Sequence, residues 1–191
     1  MAGDSPWLVI GLGNPGPQYA ANRHNIGYLA VDVLARRTGG SFKSHKAKAD
    51  VLESRIGANR CVLAKPRVFM NESGRSAAGL VSFFKVPLDR LVVIHDELDL
   101  EPGTMRIKLG GGDNGHNGLR SLRSSLGSGE FYRVRLGIGR PQGRQDPADY
   151  VLRDFPAAAR EDVGVLVERA ADAVELLVEQ GLVATQNAFN G

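Results

Sequence analysis

Residues 7 to 10 read Trp7-Leu8-Val9-Ile10, an uninterrupted apolar run short enough for a strand covered on both faces. Gly11, Gly13, Pro15, Gly16 and Pro17 then force a turn at its C-terminal end. Ile26, Leu29, Ala30, Val33 and Leu34 fall on one helical face, which predicts a helix from His24 with Asn22 as N-cap, Arg36 and Arg37 at the negative end of its dipole, and a stop at Gly39-Gly40. Two strand-like segments follow at about 49–56 and 61–65, joined by a hairpin turn at Gly57-Ala58-Asn59. Ser73 opens a second helix with Ala77, Leu80, Val81 and Phe84 on its buried face, closed by Pro87.

The most strand-like run is Leu91-Val92-Val93-Ile94, mostly β-branched, as in a central buried strand, and it delivers His95-Asp96-Glu97-Leu98-Asp99 at its end. Residues 105–109 and 132–136 alternate apolar and basic positions, so each is predicted as a strand with an apolar inner face. Side by side, they would present Arg106, Lys108, Arg133 and Arg135 as one positive surface. Between them lie the glycine-rich stretch 110–118 and a short helix with Leu119, Leu122 and Leu126 inward, stopped by Gly127. A long amphipathic helix is expected over about 157–180. Strands alternating with helices predict an α/β fold, a single domain over 1–191 with a twisted, mixed, largely parallel sheet surrounded by helices.

Composition changes this picture little. At 191 residues one proper core can form without metal or disulfide staples, and the lone Cys61 excludes an intrachain disulfide. No apolar run approaches the ~20 residues of a membrane span. The start Met1-Ala2-Gly3-Asp4-Ser5-Pro6 has neither a basic nor a long apolar region, so no signal peptide, a cytoplasmic location and no membrane partner are expected. A net charge of +3 is too small to establish a nucleic-acid partner by itself, but the charge is polarised. From Arg36 to Arg67 the residues Arg36, Arg37, Lys43, Lys46, Lys48, Arg55, Arg60, Lys65 and Arg67 face only Asp50 and Glu53.

Gly11-Leu12-Gly13-Asn14-Pro15-Gly16 satisfies a dinucleotide-binding G-x-G-x-x-G pattern, yet Pro15 and Pro17 intervene before helical periodicity begins, and the position where an acidic ribose ligand belongs is helical and basic. Nucleophile-elbow and phosphate-loop patterns are absent, and His24, His45, His95 and His116 show no metal-ligand spacing. What remains is histidine chemistry. A histidine acting as a base needs a carboxylate to fix its tautomer, and Asp96 lies at the same strand-end rim as His24. Asn14, Asn71 and Asn117 follow strands or glycine turns, where neutral amides can orient a carbonyl or bind an oxyanion. His95, inside the strand pattern, is expected to be a packed core residue, and His45 to be solvated. The basic strands read equally as a solvated face or as a phosphate clamp.

Together, Gly11-Leu12-Gly13-Asn14-Pro15-Gly16, Arg23-His24-Asn25, Lys65-Pro66, Met70-Asn71, His95-Asp96-Glu97-Leu98-Asp99, Gly110-Gly111-Gly112 and Gly115-His116-Asn117-Gly118 make the chain similar to the bacterial peptidyl-tRNA hydrolase family. The resemblance runs along nearly the whole chain. It implies a monomeric, metal-free and cofactor-free α/β domain that hydrolyses the ester between a peptide and the ribose of tRNA, recycling tRNA from aborted translation. It also implies His24 as the general base, Asp96 as its support and Asn14 as a selector of substrates with a blocked α-amino group. Tyr19, Phe69, Asn71 and Asn117 would contact peptidyl-tRNA, His116 would line the site, and Lys108 and Arg135 would hold a tRNA phosphate. Asp113-Asn114 departs from the His-Gly that many relatives carry, and the added acid is expected to weaken RNA binding slightly. A non-catalytic RNA-binding protein on the same fold is the competing reading.

Overall fold

In a computed structural model that describes residues 4–190, the strands are β1 (Trp7–Gly11), β2 (Lys43–His45), β3 (Ala49–Ile56), β4 (Asn59–Pro66), β5 (Leu91–Glu97), β6 (Met105–Leu109) and β7 (Tyr132–Gly137), of which only the short β2 has no counterpart in the sequence pattern. Met1 to Gly3, on which the signal-peptide expectation partly rests, lie outside the described residues. The strands form one sheet in the order β2-β3-β4-β1-β5-β7-β6. Its centre, β4-β1-β5-β7, is parallel, while β2, β3 and β6 join antiparallel at the edges. β5 is buried at every position, which is why its β-branched run sits in the middle. No helix among the described residues is long and apolar enough to cross a membrane.

Strand alternation divides the core between the two faces. Val9, Leu63, Val92, Ile94, Val134 and Leu136 pack against α1 (Ile26–Thr38) and the long α5 (Arg160–Gln180). Leu8, Ile10, Val62, Ala64 and Val93 pack against α2 (Ser73–Phe84) and α3 (Asn117–Leu126). Two short helices were not foreseen: α4 (Pro147–Val151) and α6 (Leu182–Phe189). Just beyond α6, Asn190 receives the Ile107 N–H at 2.8 Å, and its amide with that of Gln186 donates to the Ile107 carbonyl, so side chains cover the free edge of β6.

Several boundaries differ from the sequence reading, each for a local reason. α1 begins at Ile26, because Arg23–Asn25 form a separate 3₁₀ turn. Asn22 is not a side-chain cap; its amide donates to Asp154 at 2.6 Å instead. α2 ends at Phe84, where Lys85 turns left-handed two residues before Pro87. β4 begins at Asn59, leaving a two-residue hairpin turn. The positive surface also loses a member: Arg133 is buried, and its guanidinium donates to the carbonyls of Gly111, Gly112 and Gly129, fastening the glycine-rich stretch to β7.

Candidate active site

β1 lies between β4 and β5, and the chain leaves β1 toward one side of the sheet and β5 toward the other. A crevice at the C-terminal ends of such strands is where α/β sheets place ligands. Two glycines bring the next helix down onto it: a Cβ on Gly11 would stand 2.2 Å from the Gly27 carbonyl oxygen, and one on Gly27 would stand 2.4 Å from that of Ile94. The 3₁₀ turn before α1 therefore sits directly over the end of β5, and His24 reaches Asp96.

The Asp96 carboxylate is shared between two imidazoles. His24 Nδ1 lies 2.8 Å from Oδ2, and His116 Nε2 lies 2.8 Å from Oδ1. His116 also caps α3, its Nδ1 accepting from the N–H groups of Gly118 and Leu119, so its Nε2 carries the proton donated to Asp96. His24 donates from Nδ1, which leaves Nε2 as the free lone pair. Burial alone would lower the His24 pKa, but the Asp96 carboxylate outweighs burial and holds it above the ordinary value. Burial alone would likewise raise the Asp96 pKa, yet the His24 and His116 imidazoles hold it well below the usual carboxylate range. A histidine with a carboxylate on Nδ1 and a free Nε2 can take a proton from water. One ring nitrogen each of His24 and His116 and an Asp96 oxygen also lie within 4.8 Å of one another, a grouping that could hold a metal ion and that sequence spacing does not show.

Asn14 stands beside this pair. Its Oδ1 accepts the Met70 N–H at 2.7 Å, which turns the amide NH₂ away as an unused donor. Its backbone is bound twice by Asn25, which accepts the Asn14 N–H and donates to the Asn14 carbonyl, both at 2.9 Å. Nothing in the sequence signals this role for Asn25 beyond its place next to His24. The turn that carries His24 is also held from afar, by the Asn22–Asp154 bond and by Arg23, whose guanidinium lies 4.1 Å from the Tyr150 ring centroid and donates to the Tyr150, Arg153 and Asp154 carbonyls.

His24, Asp96, His116 and Asn117 line a cavity of about 270 Å³ that is walled on the other side by Leu98, Asp146 and Val151. Asn71 is exposed on the 3₁₀ turn Met70–Glu72, next to the buried Met70 that Asn14 holds, and does not line this cavity. Tyr19 and Phe69 meet edge to face, ring centroids 6.4 Å apart, and Phe69 is 55% exposed. Lys108 and Arg135 stand farther along the sheet on β6 and β7. Arg135 is paired with the buried Glu97 at 3.0 Å, and burial beside Arg135 and Arg133 lowers the Lys108 pKa.

His95 is buried, with its pKa pushed down to about 3 by burial and by the neighbouring His116, and its Nδ1 bonds the Asp96 carbonyl. His45 is not the solvated residue expected: its ring meets Phe83 edge-on at 4.6 Å, and its Nδ1 accepts the Ala47 N–H. Asn114, in the departing pair, donates to Glu97 and Asp99, and Asp113 accepts the Gly115 N–H and faces Arg120 at 3.6 Å.

A family model described as peptidyl-tRNA hydrolase matches residues 8–191. Peptidyl-tRNA hydrolase of Frankia casuarinae is 57% identical over 188 residues, covering 98% of this chain and 95% of the relative. That of Mycolicibacterium smegmatis is 57% identical over 186 residues, covering 97% of each. The crystal structure of peptidyl-tRNA hydrolase from Acinetobacter baumannii superposes with a TM-score of 0.90 at 34% identity, covering 96% of this chain and 94% of that one. A model match along almost the whole chain, relatives above half identity and a shared fold leave one assignment: the chain belongs to the peptidyl-tRNA hydrolase family.

Proposed function

We infer that His24 is the general base in the reaction of this family, hydrolysis of the ester joining a peptide to the ribose of tRNA. The observation that carries the reading is the single carboxylate, Asp96, holding His24 by Nδ1 so that Nε2 is free. Water bound at Nε2 gives up a proton as it attacks the ester carbonyl, and Asp96 stabilises the imidazolium that forms. The tetrahedral intermediate then expels the ribose oxygen, which takes the proton back. General-base catalysis contributes roughly 10²- to 10⁴-fold, enough for an ester without a covalent nucleophile.

Around that step the neutral amides have separable roles. Asn14 presents an NH₂ donor, which suits the carbonyl of a blocked amino group and offers nothing to a free ammonium, itself only a donor. Asn117, which lines the cavity beside His116, meets the ester or its oxyanion, where one lost donor costs about 2.7–4 kcal/mol. Asn71, Tyr19 and Phe69 contact the substrate from the open side, and Lys108 and Arg135 hold a phosphate on β6 and β7. The chain acts as one domain and as a monomer, in the cytoplasm, without a metal ion or cofactor.

The test is release of N-acetyl amino acid from N-acetyl-aminoacyl-tRNA with a chelator present, run beside unblocked aminoacyl-tRNA and a His24→Ala variant. Chelator-resistant cleavage of the blocked substrate alone, lost in the variant, is expected. Binding without cleavage would transfer the chain to the RNA-binding reading, and loss of activity with chelator would give the His24, Asp96 and His116 cluster a metal.

A further inference from the structure

The basic stretch 36–67 is only partly accounted for by the fold. Arg37 is neutralised by Glu168, Asp172 and Glu175, Lys65 by Asp32 and Arg67 by Asp50. Lys46 and Lys48 have no carboxylate within ion-pair distance among the described residues. With Arg75 of α2, Val68 and Glu72 they line a cleft of about 190 Å³ between the β2–β3 turn and α2. The cleft is a built feature. The Lys48 carbonyl accepts from the Arg67 N–H at 2.7 Å and the Ser76 hydroxyl at 3.4 Å, pinning the turn to β4 and α2. Lys48 also has φ 59°, a left-handed conformation that costs a long side chain and suits glycine or asparagine better.

Two exposed aromatic residues border the cleft. Phe69 follows its wall residue Val68, and Phe83, 51% exposed, has the Lys46 ammonium 4.9 Å from its ring centroid. Cations tracking a groove beside open aromatic faces are the elements that hold single-stranded nucleic acid, phosphates on the cations and bases on the rings. The cavity beside His24 differs in character, with Asp146 and the Arg135-paired Glu97 beside apolar Leu98 and Val151 and no lysine or arginine in its lining. From β4, whose end carries the cleft wall, to β6, which carries Lys108, there are four strand spacings, or roughly 19 Å. One phosphate cannot serve both groups.

We propose that Lys46, Lys48 and Arg75 form a second phosphate-binding subsite, which takes the single-stranded 3′ end of the RNA as it passes over Phe69 toward His24. This rests on the hydrolase reading for the identity of the RNA. Lys108 and Arg135 then hold another part of the same molecule on the far side of the catalytic imidazole, and the acyl group occupies the cavity walled by Leu98 and Val151.

The test compares wild type with Lys46→Gln/Lys48→Gln/Arg75→Gln, and with Arg55→Gln/Arg60→Gln from the same basic stretch as a control. Two readouts are used: steady-state hydrolysis of N-acetyl-aminoacyl-tRNA, and anisotropy of a labelled single-stranded RNA oligonucleotide across a salt series. In the triple variant KM is expected to rise about tenfold with kcat retained, and the slope of log affinity against log salt to flatten by about 2, at ~0.7 per phosphate contact. The control variant matches wild type. An unchanged salt slope overturns the proposal, as does a KM effect confined to substrates with acidic peptides, which would give the cleft to the peptide. If wild type cleaves nothing while oligonucleotide binding still depends on the three cations, the hydrolase reading falls and the subsite stands.

Discussion

At the β1–β5 crevice, the groups that orient His24 are buried and bonded to one another: Asp96 to two imidazoles, Asn14 to Met70 and Asn25. On the neighbouring β6–β7 face, Arg106 and Lys108 of β6 stand beside Arg135 of β7, while the buried Arg133 opposite Lys108 is spent on glycine carbonyls. Among the described residues only Arg135 meets an acid there, Glu97. The first region uses low dielectric and fixed geometry to set one proton on one atom. The second leaves cations near water, where a bound polyanion would bring its own counter-charge. Damage should therefore be steep and insensitive to salt in the crevice, and graded and salt-dependent on the face.

The largest effect is expected from His24→Ala, a loss of kcat approaching 10⁴-fold with tRNA affinity largely kept, read from single-turnover hydrolysis beside a binding titration. A loss of affinity in the same proportion would make His24 structural. Asp96→Asn should cost about 10³- to 10⁴-fold, because an amide donating to Nδ1 would move the imidazole proton to Nε2 and hide the lone pair. Asn25→Ala comes next. It leaves the buried Asn14 N–H and C=O without partners, at about 1–3 kcal/mol of stability, and lets the Asn14 amide drift. Chemical denaturation should show that loss, together with weaker discrimination between blocked and unblocked aminoacyl-tRNA; intact discrimination would separate Asn14 from selectivity. Lys108→Ala should be mildest, weakening all tRNAs alike and flattening the salt slope by about 1. A slope equal to that of wild type would make this face merely solvated.

The same contrast explains what could be read in the sequence. Leu91 to Ile94 announced a central strand because burial on both faces leaves a continuous apolar run, and Asp96 followed as a rim residue by position alone. The pairing of Asp96 with His24 was legible only by convergence, since 72 residues separate them. Arg133 misled because period-two alternation assigns a side chain to a face but does not say whether that face is wet; three glycine-region carbonyls take its protons inside the protein. Asn22 misled for a similar reason: its partner Asp154 lies 132 residues away, and no periodicity records it. α4, only five residues long, and β2, three residues with no apolar side chain, are too short to leave a pattern.

If Asp96 sets His24 as a base with a raised pKa, the pH dependence of kcat/KM for a blocked aminoacyl-tRNA carries its signature. The base works only when unprotonated, so a pKa held above 6.5 by Asp96 places the half-maximal point of the rising acid limb above pH 6.5 in wild type. In Asp96→Asn the carboxylate is gone and burial acts alone, so the residual activity should rise through a limb below pH 6.5. A wild-type limb at or below 6.5, or one that stays in place when Asp96 is replaced, would contradict the account.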